Sequence, residues 1–245
     1  MPVVEMLLLV GLVVFFTHSL EAITGFGCTV LAFPFVIALM GNLETAKIIL
    51  SILAWVLALY FVVTKFKQIQ WNQFGIILLL AGLGMPVGML IFKSLDAVIL
   101  KKALGIFIVI SATIQLYKSF VPTAGGRALP KWIGYTFLLS GGIIHGAFAA
   151  GGPLIVLYSS NKITDKGQFR ATMCLLWTTL NTVLMFQYML EKKLTPAIGR
   201  EILFLLPFLV AGIFAGEAIH NRVSEILFKK IVFVSLFLVG ITMVI

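Results

Sequence analysis

Long uncharged runs separated by short polar stretches recur along the whole chain. They lie at about residues 4–40, 46–64, 72–92, 98–117, 133–160, 171–190, 197–219 and 226–245. Roughly 20 consecutive apolar residues cross a bilayer as a helix, so the pattern predicts eight membrane segments. Two of them are too long. The first would extend about 54 Å at 1.5 Å per residue against a hydrocarbon core of about 30 Å, and the fifth is also over length. Both contain a glycine break: "ITGFGCTVLAFPF" carries Gly25, Gly27 and Pro34, and "GGIIHGAFAAGGPLIVLYSS" carries Gly151, Gly152 and Pro153. Between them "SFVPTAGGRALPK", residues 119–131, has two prolines and a glycine pair and reads as a linker.

Composition agrees with a membrane solvent. Of 245 residues 61% are apolar and 11% charged, against about 25% charged in soluble domains, and the mean hydropathy is +1.13. The chain is expected to be one all-α integral membrane domain. "MPVVEMLLLVGLVVFF" has Glu5 and no basic flank, so it is read as part of the first segment rather than as a cleaved signal. The net charge of +9 comes from basic residues scattered through loops and ends; no basic stripe suggests nucleic acid. Cys28 and Cys174 are far apart inside apolar runs, which supports neither a redox motif nor a metal site, and no cofactor is expected.

An internal repeat is expected at a nearly constant offset: Gly25 to Gly151 is 126 positions, while Tyr60 to Tyr188, Gly84 to Gly212, Gly88 to Gly216 and Lys101-Lys102 to Lys229-Lys230 are each 128. The halves are then residues 1–118 and 132–245, each of four segments, the first of them broken or re-entrant. If both broken segments fold back at their glycines, each half crosses three times and the halves are inverted. One side then holds eleven basic residues and the other seven, so the positive-inside rule places both termini outside.

Inverted halves with helices broken at corresponding positions form the physical pattern of a secondary transporter. Backbone that leaves a helix inside a bilayer is tolerated only where protein or a water-filled cavity satisfies it, and a half-helix start carries about +0.5 charge. Such a start binds anions without a formal cation.

"EAITGFGCTVLAFP" (21–34) and "HGAFAAGGPLIVLY" (145–158) resemble the paired glycine-rich motifs of the TauE/SafE sulfite exporter family, also called the 4-toluene sulfonate uptake permeases. The resemblance covers essentially the whole chain; in the first half the glycine run is reduced to Gly25-Phe26-Gly27. It implies a multi-pass protein of the prokaryotic plasma membrane, the inner membrane. The implied partner is a small sulfur-containing anion such as sulfite, thiosulfate or an organosulfonate, and homo-oligomerisation is left open.

Polar residues inside the membrane are rare and become candidates. Thr24, Gly25, Phe26, Gly27, Gly151, Gly152 and Pro153 form the breaks, where anion contact is expected. Glu21 and His18 share a helix face and are candidates for proton coupling, against a purely structural pairing. His145 lies six residues before Gly151 and donates or titrates readily. Lys47 and Arg170, 123 positions apart, each follow a broken segment and suit an anion site on the repeat axis; Asn181 is expected to line the same cavity. The reading is a transporter of sulfur-containing anions working by alternating access, not an enzyme. A passive anion channel uses the same residues. An intramembrane enzyme would need a facing nucleophile and base, and His18 and Ser19 are adjacent, not facing.

Overall fold

The computed structural model describes residues 3–120, 130–220, 234, 237 and 241. Most of the expected linker and most of the last segment, 226–245, lie outside the described residues. Among these, the elements are helices α1 (Val3–Thr24), α2 (Cys28–Met40), α3 (Leu43–Lys65), a 3-10 turn (Phe66–Gln68), α4 (Trp71–Ser94), α5 (Ala97–Phe120), α6 (Lys131–Phe148), α7 (Gly152–Ser159), α8 (Lys166–Leu190) and α9 (Pro196–His220). Six of them, α1, α3, α4, α5, α8 and α9, are long and apolar enough to cross a bilayer.

Both over-long segments break at their glycines. Helix α2 has 13 residues and α7 has 8, about 20 and 12 Å at 1.5 Å per residue, too short to cross. Each folds back along the helix before it. At the tip of the first hairpin Cys28 meets Glu21, and farther down Phe35 and Leu39 share a groove with Leu9 and Val13. In the second hairpin Ile155 packs beside Gly141, and near its open end the Tyr158 ring covers Gly134.

The breaks are set by left-handed backbone. Gly27, φ 107°, precedes α2, and an L side chain is strained there. Where α1 ends at Gly25 (φ 85°), α6 ends at Ala149 (φ 54°). Both N–H groups return to the carbonyl four residues back, Gly25 to Glu21 and Ala149 to His145, each at 2.7 Å. In backbone position Gly25 thus resembles Ala149, and Gly27 and Gly151 each precede a short helix, 124 apart in both cases, though Gly27 is left-handed and Gly151 is not. Tyr60 and Tyr188 have different partners: Tyr60 donates to Glu217, whereas the Tyr188 oxygen accepts from Ser51. The register of α3 and α8 follows their N-caps, Asn42 accepting from the Thr45 N–H and Asp165 from the Gln168 N–H.

Helices α3 and α8 run antiparallel, joined by Trp55 Nε1 donating to Thr182 Oγ1 at 2.8 Å. Outside them α6 lies parallel to α4, and α1 lies parallel to α9. Small residues allow this approach: a Cβ on Gly88 would overlap the carbonyl of Ile143, and one on Gly216 would stand 2.5 Å from the carbonyl oxygen of Ser19. Trp71 and Trp132, at helix starts, are mostly exposed, as interfacial anchors are.

Gly216→Ala should therefore destabilise the protein by about 1–3 kcal/mol through overpacking against backbone. Gly199→Ala, with nothing within 4 Å of its added Cβ, should be neutral or stabilising by up to about 1 kcal/mol. Thermal unfolding in detergent distinguishes the two.

Candidate anion-transport site

The two hairpin tips meet against α3 and α8 around a cavity of about 20 Å³. That is room for about one water. Its wall takes Glu21 and Gly27 from the first hairpin, His145 and Gly152 from the second, and Trp177 and Asn181 from α8. Five of the residues singled out from sequence thus come together: Glu21, Gly27, His145, Gly152 and Asn181.

The two tips are chemically unequal. Glu21 stands seven residues before the first residue of α2, and His145 seven before the first residue of α7. The Cys28 N–H at the start of α2 donates to Glu21 Oε2 at 2.8 Å. An internal carboxylate already occupies this helix start, which corrects the expectation that both half-helices offer free N–H groups. No side chain caps α7. Beside it, His145 is 2% exposed and Asn181 2%. Among the described residues neither ring nitrogen of His145 and not the Asn181 Oδ1 has a partner at hydrogen-bonding geometry. Asn181 stands close enough to act on His145, but not at full hydrogen-bonding geometry, and buried polar atoms left in that state are costly. Gly152 is open to it, since a Cβ there would meet only Phe26 and Trp177 at 3.7–3.9 Å, ordinary contact.

The remaining candidates hold the tips in place. Arg170, 6% exposed, donates from Nη1 to the Ala22 carbonyl at 2.7 Å and lies over the Phe61 ring at 4.5 Å. Lys47, 1% exposed, donates to the Gly146 carbonyl at 2.8 Å. Each cation of one half thus meets a carbonyl near the C-terminal end of the other half's broken helix, where the helix dipole favours positive charge. Both leave the count of flanking basic residues, one from each side. Thr24 Oγ1 donates to the carbonyls of Leu20 and Phe26 and shapes the turn, Phe26 packs edge-on to Phe169, and Gly151 is pressed on the Gly141 carbonyl. Pro153 sits in the first turn of α7, where its missing N–H costs nothing. His18 does not pair with Glu21: its Nδ1 interacts with the Val14 carbonyl at 2.9 Å, and it lies outside the cavity wall. Trp177 is the residue the sequence reading missed. Its Nε1 donates to the Gly25 carbonyl at 2.9 Å, and its ring stacks on His145 at 5.6 Å, so one side chain ties both tips.

The family model described as Sulfite exporter TauE/SafE matches residues 9–243, nearly the whole chain. The chain belongs to the TauE/SafE sulfite exporter family. No match was found among curated proteins or among solved structures. Membership makes the chain a multi-pass membrane protein of a transport family rather than of an enzyme family, and a TauE/SafE protein moves a sulfur-containing anion across the bilayer.

In this TauE/SafE chain Glu21 caps a helix, so Glu21→Ala should destabilise by about 0.5–2 kcal/mol. Glu21→Gln keeps an acceptor for the Cys28 N–H and should cost less. Equal losses in thermal unfolding would show that the cap is not the stabilising contact.

Proposed function

We propose that the protein is a secondary transporter of sulfur-containing anions, of the sulfite, thiosulfate or organosulfonate type, working by alternating access between inverted halves. The observation that carries this is the meeting of two short, folded-back helices at one small cavity, with His145, Asn181 and the uncapped start of α7 on its wall. The anion sits between these groups, held by donors and the helix dipole. The hairpins are re-entrant, from opposite faces, and both termini lie outside. A cavity of about 20 Å³ has to open for any oxyanion, which favours gated transport over a standing pore. Glu21 supplies proton coupling: protonation removes a negative charge that opposes the substrate and weakens the acceptor on Cys28, so the state of the carboxyl and the occupancy of the cavity are linked.

In proteoliposomes, sulfite, thiosulfate and short sulfonates should show saturable flux that responds to a pH gradient; linear, non-saturating flux would favour a channel. Glu21→Gln should lose the response to the gradient while retaining anion exchange, and equal loss of both would make Glu21 structural. Gly152→Ala adds a methyl without a clash and should lower anion affinity with little change in stability. Unchanged affinity would remove the α7 start from the site.

A further inference from the structure

A second cavity, of about 730 Å³, opens where α3 begins and α8 ends. Its carboxylates are already matched. Glu44 accepts from Lys193 at 2.7 Å, a bond that holds the lysine above its ordinary value, and Glu191 pairs with Lys93. The charge left over is that of Lys47, which lines the same cavity. Its Nζ has three donors, of which one goes to the Gly146 carbonyl; the Phe92 ring stands 4.0 Å away and the Tyr188 ring 5.9 Å. Among the described residues no carboxylate lies within ion-pair distance of it. The fields of Glu191 and Glu44 reach this buried cation, but each carboxylate is already held by another lysine, so the cavity keeps one uncompensated positive charge. Gly146 follows His145 directly, so Lys47 stands between this vestibule and the small cavity that His145 lines.

We propose that the vestibule is an outer binding site for the transported anion, a small sulfur oxyanion or short sulfonate, with Lys47 as its cation. The inner cavity admits about one water in this conformation, whereas the vestibule has room for the whole anion. An anion bound at Lys47 takes the two donors that Gly146 leaves and draws the ammonium toward the vestibule, which loosens the second hairpin tip from the side the anion must pass. Among the described residues Arg170 contacts Ala22 and Phe61 and lines neither of these two cavities. The proposal rests on the anion-transport reading, but its test separates the two.

Leu95 lines the vestibule and is 40% exposed, while both native cysteines are buried. In Leu95→Cys protein, modification by the uncharged reagent N-ethylmaleimide is timed with methanesulfonate or with gluconate at equal ionic strength, and wild-type protein serves as the unlabelled control. Methanesulfonate should slow the reaction several-fold and saturably. Adding Lys47→Arg should keep the protection, and adding Lys47→Gln, which still offers a donor to Gly146, should abolish it. Absence of protection, or protection that survives Lys47→Gln, overturns the outer site. Sulfonate flux through wild-type protein is measured alongside: flux without protection leaves transport standing and removes this site, whereas protection that needs Lys47 without flux supports the site and removes the transport reading.

Discussion

Backbone freed from a helix inside an apolar layer must find partners within the protein, and the organisation of the described residues follows from how the two breaks meet that demand. At the first break the carbonyls of Ala22 and Gly25 are taken by Arg170 and Trp177, and the Cys28 N–H by Glu21. At the second break the Gly146 carbonyl is taken by Lys47. The three side-chain donors, Lys47, Arg170 and Trp177, sit on α3 and α8, which explains why those two helices carry cations that a lipid-facing helix would not tolerate.

The two breaks are satisfied to different degrees, and the difference is where function enters. A carboxylate fills the start of α2, while the matching position before α7 is His145, whose ring nitrogens have no hydrogen-bond partner among the described residues. The first tip has an internal acceptor at its helix start, and the second has none among the described residues. Trp177 joins them, since it holds the Gly25 carbonyl and stacks on His145. The two tips thus share one side chain, which is in contact with both.

Much of this was legible in the sequence because it is local. Uncharged runs gave the helices, glycine clusters gave the breaks, and Gly84, Gly88, Gly212 and Gly216 marked the close parallel contacts. Lys47 and Arg170 stood out as a pair because charge is costly in a membrane. Their partners were not legible, since Lys47 meets a carbonyl 99 positions away and Arg170 one 148 positions away, and carbonyls carry no side-chain signal. The match of Gly25 with Ala149 was hidden because an alanine there takes the left-handed conformation that glycine normally supplies. Trp177 looked like one apolar residue among many, and its role depends on the indole N–H reaching another hairpin.

The central claim is that the anion binds between the hairpin tips, on the side of His145, Asn181 and the α7 start. Its most direct measurement is a structure of the protein with a heavy-atom analogue, selenite or 2-bromoethanesulfonate, located by its anomalous signal. The account predicts density within hydrogen-bonding reach of His145, Asn181 and the Gly152 N–H, in a cavity larger than the present one. An analogue found only outside that cavity even where the tips have moved apart, with His145 still without a partner, would contradict it.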